Sequence, residues 1–380
     1  MPFFIISRIL KYMNRQFSYK FYSSTNLAWQ AMYEEVLGAI ESVYWEIYTF
    51  VDDQIGNKFI DLLCDKARQG VDVKIIVDGL GSFNLSRLAM NRLKASGVEV
   101  LIFNSMSPSL NFRQWWTGLW LRDHCKVLIV DGETSFVGGV NVQSQMQNWD
   151  DIYLKLNGKV VRWFGRYFAR KYIICGGQRS KVRHLLHPKL NQSLQEVKGN
   201  LKFLVNIPYL RKSSSPFRSF YHQAIATAKN SFNLLTPYYA PDPKFLELIY
   251  KASRRGVKIN IIMPFKNDIK LMHYVARAFY AISKKAGASF YFLSNFNHGK
   301  AVTVDDRLGM VGSANLTKHS LFKNHETGVS FTDELMVRDL NSILDKWKNQ
   351  ADPLLEEDFR RPSWTNKFKT WWVEKIKNKI

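Results

Sequence analysis

The chain repeats itself. Residues 124–141 read HCKVLIVDGETSFVGGVN, and residues 298–315 read HGKAVTVDDRLGMVGSAN. Both contain H-x-K-x-x-x-x-D, six further residues, and then G-[GS]-x-N. His124, Lys126, Asp131, Gly138 and Asn141 match His298, Lys300, Asp305, Gly312 and Asn315, every pair 174 residues apart. A single H-x-K-x-x-x-x-D is a weak signal, whereas five matched positions at one offset mark a duplicated structural unit.

The repeat extends upstream. WEIYTFVDDQIGNKFIDLLCDKARQGVDVKIIVDG (45–79) parallels FNLLTPYYAPDPKFLELIYKASRRGVKINIIMPF (232–265). Each copy starts with a short apolar run and an acidic turn. A helix follows, with Phe59, Leu62, Leu63 and Ala67 on one face in the first copy and Phe245, Leu248, Ile249 and Ala252 in the second. Gly70-Val71 and Gly256-Val257 then end the helix and open a β-rich run. The expected fold is α/β: two homologous halves, each a mixed sheet flanked by helices, related by a pseudo-two-fold axis with one active site between them. The expected segments are 1–19 (a basic amphipathic start), 20–178 (first half), 179–200 (linker), 201–350 (second half) and 351–380 (a basic aromatic tail).

His124, Lys126, Leu128 and Val130 alternate with Cys125, Val127 and Ile129, which is strand patterning. Period two puts His124 and Lys126 on one face and Cys125 on the other, where packing is its expected role. Asp131-Gly132 is a turn signal, and Thr134–Val137 returns as the partner strand. The second copy repeats this with His298, Lys300 and a turn near Asp305-Asp306-Arg307. Each hairpin aims an imidazole, an ammonium and, from Asn141 or Asn315, an amide at one point. Before Asn141, the missing side chains of Gly138-Gly139 let the backbone approach a ligand, and Gly139 and, in the second copy, Ser313 are the expected substrate-binding positions beside the asparagines. Two such sets suit a tetrahedral phosphate. Lys and Asn donate to its non-bridging oxygens, while the imidazoles act on opposite sides of phosphorus as nucleophile and general acid. Neither motif has a second His or a carboxylate at ligand spacing on the same face, and the adjacent Lys repels a cation, so the pattern argues against a metal.

At these residues the chain resembles the phospholipase D superfamily, whose signature is the duplicated H-x-K-x-x-x-x-D, and within it the bacterial cardiolipin synthases. The similar segments are IYTFVDDQIG (47–56), ARQGVDVKIIVDGLGS (67–82), LRDHCKVLIVDG (121–132), VGGVN (137–141), WDDIYLKLNG (149–158), TPYYAPD (236–242), VGSANL (311–316) and HSLFKNHETGV (319–329), covering residues 20–350. The resemblance implies that His124 is the nucleophile and forms a phosphohistidine. His298 then serves as acid and base, and Lys126, Lys300, Asn141 and Asn315 hold the phosphate. It also implies a carboxylate in each half that orients a histidine, here Asp151 and Glu326. Asp131 and Asp305 belong to the catalytic motif but lie off the His/Lys face, where a structural role fits. The chain departs from the family in having Arg122-Asp123 and Cys125 where Arg-Asn and Arg are usual, and Lys318-His319 where an Arg-containing pair is common. These departures bear on head-group or acceptor preference.

The implied reaction is phosphatidyl transfer from one phosphatidylglycerol to another through the phosphohistidine, with release of glycerol. It needs neither nucleotide nor metal. Water as acceptor gives phospholipase D hydrolysis with the same residues. Lys+Arg number 54 against 32 Asp+Glu, a net charge of +22, so the expected partner is a polyanion. A nuclease fits that charge, but the apolar-aromatic ends favour an anionic phospholipid surface over nucleic acid. Phe3, Ile6, Leu10, Met13 and Phe17 recur at helical spacing among Arg8, Lys11 and Arg15. Trp364, Phe368, Trp371, Trp372 and Ile376 do so among lysines. Such segments suit the interface plane of a bilayer. Trp115, Trp116 and Trp120, before the first motif, form either a lipid-entry rim or a buried cluster. No apolar run has membrane-spanning length, the N-terminal segment does not read as a signal peptide, and three scattered cysteines give no disulfide framework. The expected location is the cytoplasmic face of a bacterial membrane, held peripherally.

Overall fold

The structure, a computed structural model, describes residues 17–105, 121–186, 200–208 and 215–360. The expected N-terminal stripe up to Met13, the tryptophan cluster 115–120 and the aromatic stripe 364–376 lie outside the described residues.

The first half runs β1 (Phe17–Ser24), α1 (Thr25–Leu37), β2 (Ser42–Ile47), α2 (Gln54–Arg68), β3 (Asp72–Asp78), α3 (Arg87–Ala95), β4 (Glu99–Phe103), β5 (Val127–Val130), β6 (Thr134–Gly138), β7 (Asp150–Gly158) and α4 (Val161–Ile174). The second runs β8 (Leu201–Asn206), α5 (Pro216–Thr227), β9 (Ser231–Leu235), β10 (Tyr239–Ala240), α6 (Pro243–Arg254), β11 (Lys258–Pro264), α7 (Lys270–Lys285), β12 (Ala288–Leu293), β13 (Ala301–Val304), β14 (Leu308–Gly312), β15 (Leu316–Thr317), α8 (Lys318–Phe322), β16 (Glu326–Phe331), α9 (Glu334–Asn349) and α10 (Pro353–Arg360). The first sheet is ordered β1-β7-β6-β5-β2-β3-β4 and the second β8-β16-β14-β13-β9-β11-β12. The two orders correspond strand for strand. In each, three strands joined by helical crossovers are parallel and the others antiparallel, so the duplicated mixed α/β architecture is present.

Local chemistry explains the matching helices. Asp53 and Asp242 cap the starts of α2 and α6, accepting from Ile55 and Gly56 in one case and Phe245 in the other. This satisfies N–H groups that have no partner inside the helix. Both helices end on a left-handed glycine, Gly70 at φ +92° and Gly256 at φ +84°. The next N–H, from Val71 or Val257, folds back onto Lys66 or Ala252, an ending that a side chain at the glycine would strain.

The strands bury both faces. In β5, Val127 and Ile129 face a central core shared with the second half, while Leu128 and Val130 face the outer core of the first. In β13, Ala301 faces the shared core and Val302 and Val304 the outer core of the second half. α4 and α9 contribute Phe164, Phe168, Leu340, Leu344 and Trp347 to the shared core, so the halves are joined by packed apolar surface. Residues 179–186 form a 3-10 segment that buries Val182 against the same core. α10, at the start of the expected tail, carries Glu356, Glu357 and Asp358 and seats Phe359 on Phe292, 4.4 Å between ring centres. No helix among the described residues is long and apolar enough to cross a membrane.

Candidate active site

The two motif histidines do not lie in strands, contrary to the alternation at 124–130. β5 begins at Val127 and β13 at Ala301. The backbone before each strand pairs instead with the opposite half. His124 N–H donates to His325 O (3.0 Å), and His325 N–H donates to Arg122 O (2.9 Å). At the other motif, His298 N–H donates to Asp150 O (2.7 Å), and Asp150 N–H donates to Phe296 O (3.0 Å). Each bridge sets a histidine beside the residue that precedes the other half's acid.

The side chains follow. His124 Nδ1 is 3.1 Å from Glu326 Oε2, and His298 Nδ1 is 3.0 Å from Asp151 Oδ2. The pairing is crossed, so neither half holds a complete histidine–carboxylate pair alone. A carboxylate on Nδ1 fixes the proton there and leaves Nε2 for chemistry. Glu326 is fully buried and held by Ser313 Oγ and Ser320 Oγ, which donate to its two oxygens at 2.5 Å each. Asp151 accepts from the N–H of Ile152 at 2.7 Å.

Gly139 and Ser313 occupy matched positions but do different work. A Cβ at Gly139 would lie 2.2 Å from Asp151 Oδ1, so glycine makes room for the shorter acid. At the other site the serine hydroxyl binds the acid directly. Asn141 Oδ1 accepts from the N–H of Thr49 at 3.1 Å, whereas Asn315 Oδ1 is buried without a hydrogen-bond partner.

Lys126 and Lys300 are fully buried beside the histidines. Lys126 Nζ donates to His124 O at 2.8 Å, and Lys300 Nζ lies 2.8 Å from His298 Nε2. Burial pushes both ammonium groups down, Lys126 to about 8 and Lys300 to about 7. Burial and Lys126 likewise hold His124 at about 4, against the opposing pull of Glu326. His298 is lowered by burial and by Lys300. Burial works to raise the Glu326 carboxyl, but His124 and Lys126 outweigh it and keep it ionised below the ordinary range. The site is therefore rich in donors with a neutral His124, and an anion entering it would restore charge to both lysines.

Asp131 and Asp305 are not brought to this cluster. Their backbones are left-handed, at φ +51° and +50°. Asp131 accepts the N–H groups of Ile40, Glu41 and Ser42, and Asp305 those of Lys229, Asn230 and Ser231. Placing them in the catalytic set is thus corrected: each is spent tying the β5–β6 or β13–β14 turn to the start of a neighbouring strand. Aromatic rings missed as site residues surround the histidines. Tyr48 lies 4.9 Å from His124, and Trp149 and Tyr238 lie 5.8 and 6.5 Å from His298. They follow β2 and β9 and precede β7, within the family-like segments 47–56, 236–242 and 149–158.

A family described as "Cardiolipin synthase, PLD-like domain" matches residues 32–172 and 221–348, one stretch in each half. The chain belongs to this family. It is 27% identical over 350 residues to "Minor cardiolipin synthase ClsB" of Bacillus subtilis, covering 90% of this chain and 84% of that protein. It is 28% identical over 327 residues to "Probable cardiolipin synthase YwiE" of the same organism, covering 82% and 62%. A cardiolipin synthase of Geobacillus thermodenitrificans is 28% identical over 309 residues, covering 78% and 59%. The chain thus spans about three fifths of the length of the latter two relatives. Among solved structures, phosphatidylserine synthase of Haemophilus influenzae has the same fold, with a TM-score of 0.69 at 14% identity, covering 95% of this chain and 93% of that one.

Proposed function

We propose that the chain is a phosphatidyltransferase of the cardiolipin synthase type, working on the surface of an anionic membrane at its cytoplasmic face. The observation that carries this reading is the crossed pair: two imidazoles, each aligned through Nδ1 by the other half's carboxylate, with a buried lysine beside each. His124 Nε2 attacks phosphorus of one phosphatidylglycerol. The P–O bond to glycerol breaks, and His298, which is cationic once the phosphate anion lies beside it, gives its Nε2 proton to the departing oxygen. A hydroxyl of a second phosphatidylglycerol then attacks the phosphohistidine and gives its proton to His298. The P–N bond breaks, and His124 is regenerated. One phosphodiester replaces another, so no external energy source enters. Lys126 and Lys300 donate to the non-bridging oxygens as charge builds on them. The Asn141 and Asn315 amides complete the cradle. Phosphatidylglycerol as both donor and acceptor comes from the family likeness; the geometry itself supports any phosphodiester exchange.

The test is product analysis by mass spectrometry after incubation with phosphatidylglycerol liposomes in chelator, beside His124→Ala. The expected result is cardiolipin and glycerol, both lost in the variant. Phosphatidic acid alone makes the chain a hydrolase. No lipid turnover together with cleavage of DNA moves the substrate to nucleic acid.

A further inference from the structure

Next to His124 in the chain lies a second charged group that this reaction does not use. Lys171 of α4 is fully buried, as are Glu46, Asp123, Cys125 and His325. Its ammonium lies 3.0 Å from Asp123 Oδ1, 3.5 Å from Glu46 Oε1 and 2.5 Å from His325 Nδ1, and 4.1 Å from the centre of the Phe103 ring. One turn earlier on α4, the Tyr167 hydroxyl donates to Glu46 Oε1 at 2.9 Å and lies 3.1 Å from Cys125 Sγ. Ligand atoms of Glu46, Asp123 and Cys125 lie within 4.8 Å of one another, a spacing that would suit a metal ion. The ammonium of Lys171 is already the cation there.

Buried ions are a costly way to fill a core, and the matching layer of the second half does without them. By strand register Glu46 corresponds to Leu235, opposite Val127 and Ala301 respectively. Asp123 and Cys125 correspond to Asn297 and Gly299 in the repeat. α9, the counterpart of α4, presents Leu340, Leu344 and Trp347. The duplication copied the catalytic residues and left this network under one histidine only.

Its position shows what it can do. Asp123 and His325 form the backbone bridge between the halves. They are the immediate neighbours of His124 and Glu326. Lys171 grips one side chain from each strand of that bridge. At the other histidine the bridge partners are Asn297 and Asp150, and among the described residues Asn297 Oδ1 accepts the nearby N–H of Gly299 and no lysine.

We infer that Lys171 is a positioning residue for His124: by clamping Asp123 to His325 it fixes the His124–Glu326 pair across the two halves, and it makes two otherwise matched histidines unequal. The inference rests on the reading of His124 as nucleophile given above. Loss of the clamp loosens the alignment of His124 without touching the phosphate cradle. Rate falls while substrate binding holds.

The test uses the full chain and a soluble phosphodiester, bis(p-nitrophenyl) phosphate. Lys171→Met alone strands a buried carboxylate and should lower the melting temperature. Lys171→Met with Asp123→Asn removes that charge pair, and Glu46, whose carboxyl burial pushes well above the ordinary range, stays neutral beside it, so stability should return. The inference expects kcat of this double variant to stay about 10- to 100-fold low, with KM unchanged and the burst of nitrophenolate slowed in proportion. His325→Leu, which keeps the Lys171–Asp123 pair, should show the same loss of kcat. His325→Asn, whose amide oxygen can accept from Lys171, should restore it. Activity that returns with the melting temperature in the double variant, or a rise in KM at unchanged kcat, assigns Lys171 to stability alone and overturns the inference. Folded wild-type protein that turns over neither this diester nor phosphatidylglycerol overturns the nucleophile reading instead.

Discussion

Glu326→Gln is the sharpest perturbation of the crossed pairs. It keeps the shape of a side chain that is fully buried and removes its charge. When His124 attacks phosphorus its ring becomes cationic, and the carboxylate 3.1 Å from Nδ1 stabilises that charge. At an effective dielectric of 20, opposite unit charges about 4 Å apart attract by roughly 4 kcal/mol, equivalent to about a thousandfold in rate. The glutamine also offers an amide N–H where Nδ1–H needs an acceptor, which favours the tautomer with Nε2 protonated. The expected result is a kcat about 10³-fold lower with KM nearly unchanged, because the charge exists only past the ground state. The comparison is Asp151→Asn, which disturbs the acid rather than the nucleophile. With p-nitrophenyl leaving groups, which depart without a proton, the first-turnover burst of nitrophenolate should still be slow in Glu326→Gln and nearly normal in Asp151→Asn, although later turnovers of Asp151→Asn still need His298 as base. With an alkyl alcohol as leaving group both should be slow. Equal behaviour of the two variants on the p-nitrophenyl substrate, or Glu326→Gln within about tenfold of wild type, refutes the assignment of Glu326 to the nucleophile.

Other outcomes follow from the same geometry. Gly139→Ser, which copies the second motif into the first, should collapse kcat by displacing Asp151, since its Cβ would lie 2.2 Å from Oδ1; steady-state kinetics beside Ser313→Gly check this, the latter losing only one donor to Glu326. Asp305→Ala should cost about 2 kcal/mol and lower the melting temperature by about 4–8 °C while leaving kcat per folded molecule intact, because three backbone N–H groups lose their acceptor and the chemistry loses nothing. Phosphate binding needs both lysines protonated, and in the empty site Lys300 and Lys126 lose their protons at about 7 and about 8. A pH series should therefore show kcat/KM falling as pH rises through that range, with kcat holding to higher pH because bound phosphate raises both groups. On the acid side His124, held at about 4, stays neutral through the mildly acidic range and imposes no loss there.

Much of this architecture is legible in the duplicated motif. Two hairpins with their turns at Asp131-Gly132 and Asp305-Asp306, the glycine-ended helices and the identities of the clustered His, Lys and Asn all follow from period and spacing, which are local properties. The crossed pairing does not. Glu326 and Asp151 sit downstream of the asparagines in their own halves, and nothing in the repeat says that each serves the other half's histidine. That fact lies in the bridges at Asp123–His325 and Asp150–Asn297, contacts between residues far apart in sequence. Strand alternation at 124–130 misleads for the same reason, since His124 finds its hydrogen-bond partner in the opposite half. Lys171 carries no sequence signal because it is a lone lysine on a helix whose other inward residues, Phe164, Phe168 and Tyr172, are apolar or aromatic. Only the fold places Asp123, Glu46 and His325 around it.

The central claim is that one composite site, built from both halves, passes the phosphatidyl group through His124. The direct measurement is rapid trapping of the enzyme with phosphatidylglycerol labelled in its phosphorus, using a denaturing quench at mildly alkaline pH, followed by digestion at that pH and mapping of the acid-labile label. The expected result is label on the peptide carrying His124, less of it in Glu326→Gln, and none in His124→Ala. Label on His298 in the wild-type enzyme, or lipid turnover that persists in His124→Ala, would contradict it.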